Sequence, residues 1–279
     1  MAVSGRTKQT LSLIVHYLAV MLCGLIILFP FIWMVLGSFK YNKDILDIPV
    51  KLLPPQWNFG SYRSAFASGP FARYYLNSII VLVAAVGLNI IICATAGYGF
   101  AKFRFKGRDL FFTVVLSTLM VPIHAVIVPL FVLMKQIGLV NTYLGIILPL
   151  SLSAFGVFLM RQFFYAVPNE LMEAARIDGA GEFRIFRMVG MPLARVAVVS
   201  LIIFHSQYVW KNLIWPLVIV SGTDLRTLPV GISLFSGVFF TPYPDQLAMS
   251  VSACVPLVIL YVFFSKYFIR GTALAGIKG

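Results

Sequence analysis

The sequence predicts an all-α integral membrane protein with six transmembrane helices, and three observations carry that expectation. Of 279 residues, 60% are apolar and only 11% charged, which leaves too few solvated side chains to cover a soluble domain. Six intervals free or nearly free of charge are long enough to cross a hydrocarbon core, which takes about 20 residues in a helix. All nine acids, Asp44, Asp47, Asp109, Glu170, Glu173, Asp178, Glu182, Asp224 and Asp245, fall in the connecting segments or at interval boundaries, where an ionised side chain costs least.

Residues 1–10 are expected as a cytoplasmic N-terminus and 11–36 as the first span. Arg6 and Lys8 precede it as in a secretory signal, but the interval exceeds the usual h-region of about 7–15 residues. Leu22 stands before Cys23, where a lipoprotein-type cleavage needs a small residue, so the segment reads as a retained span. An extracytoplasmic loop follows at 37–73, then a core domain at 74–265. Its spans are expected at 74–101, 110–134, 139–160, 196–220 and 246–265, with a loop at 161–195 and a C-terminal tail at 266–279.

Charge sets the orientation. With the N-terminus in the cytoplasm, 14 of the 22 basic residues lie on that side, seven on the other, and Lys211 within the fifth span. The positive-inside rule therefore places both termini in the cytoplasm. The net charge of +13 is in this way a topology signal, and nucleic acid is not an expected partner. The lipid bilayer is.

The spans lack what several chemistries need. No acid stands mid-membrane, which argues against a proton relay, although a Na⁺ site built from carbonyls escapes that test. His16, His124 and His205 have no second ligand at helical spacing, and Cys23, Cys93 and Cys254 show no paired spacing, so they read as packing residues and no metal is expected. Prolines 30, 122, 129, 149, 216 and 256 interrupt five spans, as suits kinked helices around a cavity. The second span instead carries Gly87, Ala94, Gly97 and Gly99, which permit close helix approach. Ser206, Gln207, Tyr208, Trp210, Lys211 and Asn212 form a wet patch in the fifth. Gln207, Trp210 and Asn212 are candidates for an aqueous pathway or a subunit interface, and a position at headgroup level stays open.

The long cytoplasmic loop carries the most specific pattern. Pro168 suits a first helical position, Glu170 and Glu173 the positive end of a helix dipole, and Gly179 a left-handed stop. Leu171, Met172 and Ala175 can share one face, and Ala174 with Ala175 allows another surface to approach. A second short helix is expected from about Glu182 to Val189.

These residues resemble a known family. Glu173-Ala174-Ala175, three residues, Gly179, nine residues, then Val189-Gly190-Met191-Pro192 is similar to the EAA loop of ABC-importer permeases, whose pattern ends in I-x-L-P; Val189 and Met191 replace the usual Ile and Leu. Phe29 to Met34, Ser38-Phe39-Lys40, Tyr98 to Phe103, Gly138 to Tyr143, and Arg161 to Phe164 extend the resemblance to carbohydrate importers of the maltose-permease type. The ending Arg270 to Gly279 resembles the tail of the smaller subunit, which reaches between the ATPases.

The resemblance implies a type I importer fold with a cytoplasmic coupling helix and a first helix that wraps its partner. It implies a second homologous permease, an ATPase dimer and an extracytoplasmic sugar-binding protein. Glu170, Leu171, Glu173, Ala174, Ala175, Asp178 and Gly179 are then the ATPase-coupling residues, and Gly276, Lys278 and Gly279 contact the ATPase. No G-x-x-x-x-G-K-[ST] loop is present, so ATP and Mg would be bound by the partner ATPase and not by this chain, which is a transport subunit and no enzyme. The outer segments 41–72 and 222–245 are long enough to touch a docked binding protein. Glycerol 3-phosphate or another polyol is the runner-up cargo. A self-powered secondary carrier is the alternative from a different class.

Overall fold

The computed structural model describes residues 3–234 and 242–275, with side chains over 13–234 and 242–264. Every regular element among them is helical. They divide into two compact units, residues 3–70 with 234 and 242–254, and residues 71–233 with 255–275.

In the first unit, α1 (Val3–Gly37) continues through Pro30. Its apolar side chains from Leu13 to Phe31 are exposed within the chain, as suits a helix covered by lipid or another subunit. Beyond it, α2 (Asn42–Ile45) and α3 (Gly60–Ala67) flank a folded loop. Lys40 is fully buried there; its ammonium sits 4.3 Å from the Trp33 ring centroid and donates to the Lys51 carbonyl. Burial lowers the Lys40 pKa, against the opposing pull of Asp44 and Asp47. Phe39 gathers Trp57, Phe59 and Tyr62 around it at 5.4–5.7 Å between ring centroids.

The second unit is built on α4 (Phe71–Lys102), which packs against the helices following it in the chain. Then come α5 (Arg108–Ser117), extended by a 3₁₀ turn to Met120, and α6 (Ile123–Gln136). Next are α7 (Tyr143–Ser151), α8 (Ala154–Ala166), α9 (Asn169–Ile177) and α10 (Glu182–Ile185). A π turn (Phe186–Gly190) leads to α11 (Met191–Leu193), α12 (Arg195–Trp210), α13 (Ile214–Ile219) and α14 (Leu228–Ser233). The last helix, α15, runs over Tyr243–Ala275; its residues up to Cys254 belong to the first unit and those from Val255 to the second.

Gly97 shows how closely α4 and α8 meet: a Cβ there would stand 2.6 Å from the Met160 Cβ and 2.8 Å from the Arg161 amide nitrogen. Gly87 and Gly99 face open space, so of the three glycines in that span only Gly97 serves the expected close approach to another helix of this chain. Toward one end of α4, Asn77 donates to the carbonyls of Asp224 and Arg226 at 2.8 and 2.9 Å and accepts from the Tyr143 hydroxyl at 2.6 Å. Two apolar cores follow, one around Ala85, Ile146, Trp215 and Ile219, the other around Ala94, Tyr98, Met160, Phe164 and Met172.

Among the described residues three helices are long and apolar enough to cross a membrane, and three bent pairs, Arg108–Met120 with Ile123–Gln136, Tyr143–Ser151 with Ala154–Ala166, and Glu182–Leu193 with Arg195–Trp210, bring the number to six when each pair counts as one span. The interval expected at 110–134 bends by 107° between Met120 and Ile123, where extended Pro122 cannot continue a helix. Pro129 stays inside α6 without a break. The interval expected at 139–160 bends by 46° between Ser151 and Ala154, after Pro149 in the last turn of α7. The interval expected at 196–220 is not one helix: α12 ends at Trp210 and α13 begins at Ile214. The Asn212 carboxamide oxygen accepts the Trp215 amide at 3.2 Å, restarting the chain.

Candidate functional site: the segment between α8 and α12

The segment between α8 and α12 is tied to the bundle at its entry. Lys102, the last residue of α4, donates to the Val167 carbonyl at 2.6 Å and to the Asn169 carboxamide at 2.8 Å. Pro168 lies one residue outside α9 with ψ 135°, and therefore precedes the helix instead of opening it. Nine residues of α9 then place Met172 inward: it is 1% exposed and its sulfur accepts from the Tyr98 hydroxyl at 3.7 Å. Ala175 is half-buried on the same side. Leu171, expected to share that face, is 46% exposed.

The exit from α9 is closed first by backbone hydrogen bonds. Gly179 has φ +81°, the left-handed conformation that glycine adopts without a Cβ clash. Its amide reaches the Arg176 carbonyl at 3.0 Å, and the Ala180 amide reaches the Ala175 carbonyl at 2.9 Å. That pair of bonds is a Schellman stop, and Ala175 and Ala180 both pack against the core around Tyr98 and Met172. Across the turn, Arg176 grips Glu182 through two hydrogen bonds of 2.6 and 3.2 Å. The Arg176 guanidinium thereby holds the Glu182 carboxyl below the usual carboxylate range. The short helix expected from Glu182 to Val189 becomes α10 and the π turn, with Ile185 fully buried and Gly190 close to Tyr98 and Phe164.

What remains outside is a mixed apolar and charged surface. Glu170, Glu173, Ala174, Asp178 and Gly179 are exposed with Leu171. Ile177 is 87% and Phe183 74% exposed; neither is among the residues from Glu170 to Gly179 expected to couple, although two bare apolar side chains flanking a helix stop are the signal for a docking surface. Beside α9 lies a cavity of about 980 Å³ walled by Lys102, Arg104, Arg108 and Arg176 as well as Asp109 and Glu173. Arg161 stacks 3.8 Å from the Phe112 ring centroid and pairs with Asp109 at 3.2 Å, fixing the loop between α4 and α5. Among the described residues no group of three His, Cys, Asp or Glu side chains is arranged to hold a metal ion.

The second candidate set does not form one site. Trp210 is buried and meets Tyr75 edge-on at 5.7 Å, Asn212 caps α13, and Gln207 is exposed. Gly276, Lys278 and Gly279 lie outside the described residues.

The chain is similar to known proteins over most of its length. The profile of the family described as binding-protein-dependent transport system inner membrane component matches residues 90–273. The arabinooligosaccharides transport system permease protein AraQ of Bacillus subtilis (strain 168) is 34% identical over 93% of both chains. The sn-glycerol-3-phosphate transport system permease protein UgpE of Brucella abortus (strain 2308) is 30% identical over 95% of this chain and 97% of its own. A chain in the crystal structure of a bacterial ABC transporter involved in the import of the acidic polysaccharide alginate superposes with a TM-score of 0.81, at 25% identity, over 91% of this chain and 95% of that one. The matching family profile and these relatives establish that the chain belongs to the binding-protein-dependent inner-membrane component family, as a multi-pass permease subunit of an ABC importer.

Proposed function

We propose that the chain imports a sugar or oligosaccharide, paired with a second homologous permease, driven by an ATPase dimer that binds ATP and Mg, and supplied by an extracytoplasmic sugar-binding protein. Both termini lie in the cytoplasm, as the basic residues require. The observation that carries the coupling role is α9 itself: one side anchored on Tyr98 through Met172, the other offering Leu171, Ile177 and Phe183 with Glu170, Glu173 and Asp178. Such a helix is a rigid handle on the bundle. Closure of the ATPase dimer against it would rotate the spans and switch the pathway by rigid-body movement. Gly276, Lys278 and Gly279 extend the same contact, and Gln207, Trp210 and Asn212 remain assigned to the pathway or the permease interface.

The carbohydrate reading is supported by what the arabinooligosaccharide permease and the alginate importer are named for. A second reading, glycerol 3-phosphate, is favoured by the UgpE relative. Coupling is tested by affinity purification of the chain from native membranes as wild type, Gly179→Asn and Gly179→Asp. A Cβ at Gly179 meets nothing within 4 Å, and Asn tolerates the left-handed backbone, so Asn leaves the complex intact. Asp adds a charge at the docking surface, and the ATPase is lost while the second permease is retained. Recovery of the ATPase at wild-type level with Asp would refute the docking role.

A further inference from the structure

The two broken spans meet α12 around a second cavity, of about 460 Å³, within the size range of small-molecule sites. Its walls include Thr118 and Ser153 at the two breaks, Phe155 on α8, and Phe204, His205 and Tyr208 on α12. Irregular backbone at membrane depth is tolerated where it is buried in protein or lines a polar cavity, and both breaks open here.

His205 is the group that packing alone leaves unexplained. It is 4% exposed, the Leu150 carbonyl lies against its ring, and its Nε2 has no hydrogen-bond partner among the described residues. A buried imidazole nitrogen without a partner carries a desolvation cost that a ligand can remove. Ser153 accepts the Gly156 amide at 3.0 Å and keeps its proton to donate; Thr118 donates to the Val115 carbonyl at 2.7 Å and keeps its lone pairs. Phe155 and Phe204 meet edge-on at 6.0 Å, giving the cavity an aromatic wall. No charged side chain lines it.

That inventory selects a ligand class. An imidazole and two hydroxyls offer donors and acceptors, and so does a sugar hydroxyl. The aromatic wall suits the apolar C–H faces of a sugar ring. A phosphate or carboxylate would find no cation to offset its desolvation. We infer that this cavity is a contact site on the present subunit for a neutral sugar in transit, with His205 hydrogen-bonding one of its hydroxyls. The inference rests on the carbohydrate reading above and adds that this chain itself touches the cargo.

The test uses the complete importer in proteoliposomes with saturating binding protein, so that uptake reports steps after delivery. If the wild type carries no sugar, the carbohydrate reading fails before any variant is compared. Given a carried sugar, His205→Leu should lower uptake about tenfold while subunit recovery and binding-protein-stimulated ATP hydrolysis stay within about twofold of wild type, and His205→Gln should restore at least half of the rate. Deoxy analogues of that sugar add a readout that a structural role would not move: one analogue should lose rate in the wild type and none further in His205→Leu. Unchanged uptake in His205→Leu, or an analogue profile identical to wild type, overturns the site. Should His205→Leu fail to assemble, Tyr208→Phe, which removes only a hydroxyl from the cavity wall, is scored by the same analogue series; a wild-type profile there overturns the site equally.

Discussion

At Ile177 a helix stops and its last carbonyls are taken up by the residues that follow it. At Ser151 another helix stops and its carbonyls are taken up by side chains from two other helices. The first stop needs Gly179 at φ +81° and two backbone bonds of 3.0 and 2.9 Å. The second needs Asn89, whose carboxamide donates to the Ser151 carbonyl at 2.7 Å, and His205 against the Leu150 carbonyl; the Cys93 thiol adds a contact of 3.5 Å to the Ser153 carbonyl, which already accepts the Val157 amide. The contrast follows from surroundings. Near water a helix end is completed cheaply by local turns, whereas inside a bundle each freed carbonyl must find a donor fixed on a neighbouring helix.

The largest effect that sharpens this contrast is expected at the remote stop. Asn89→Leu removes the donor from the Ser151 carbonyl and leaves that acceptor buried, a loss of about 1–3 kcal/mol, toward the lower end if the membrane-unfolded chain finds substitute partners. Thermal unfolding of the purified permease pair in detergent measures it. The locally closed α9 should keep its amide exchange protection in the same variant. Equal loss of protection at α9 would mean that the two stops are one cooperative unit.

The local stop should respond more weakly and to a different chemistry. Gly179→Ala introduces a Cβ into open space, so its cost comes from the left-handed backbone alone, about 1–2 kcal/mol, and Gly179→Asn should recover most of it. Exchange rates of the Gly179 and Ala180 positions report the change. A loss as large for Asn as for Ala would show that side-chain contact, and not backbone conformation, governs this end.

The same division explains how much could be read before the fold was known. Gly179 and the Glu173-Ala174-Ala175 pattern stand within one turn of the stop they shape, so a linear reading finds them. Asn89, Cys93 and His205 act on residues 62, 60 and 55 positions away in the chain. Taken singly, they look like unremarkable packing residues of apolar spans. Lys102 escaped notice for the same reason: as a basic residue at a helix end it counts toward topology, and only the fold brings it to Val167 and Asn169. The bends of 107° and 46° were foreshadowed by Pro122 and Pro149, but Pro30, Pro129 and Pro256 sit inside helices that continue. Proline removes a backbone donor in every case; whether the helix breaks depends on which neighbours stand ready to satisfy the freed carbonyl.

The smallest effect tests whether the local stop is self-sufficient or leans on the ion pair across it. Arg176 and Glu182 are both exposed by more than a third, so solvent screening leaves their pair about 0.2–1 kcal/mol. The sign is fixed by Glu182, whose carboxyl is held below its ordinary value by the Arg176 hydrogen bonds. A depressed carboxylate pKa gives stability that is fully present above the unfolded value, about 4.3, and that is lost as pH falls through the lower folded value. The stability difference between wild type and Arg176→Gln should therefore be constant from neutral pH down to about 5, shrink below that, and diminish in high salt. A difference that persists undiminished in acid would mean that Arg176 acts by packing its stem over the turn, and that the glycine stop holds α9 without help from charge.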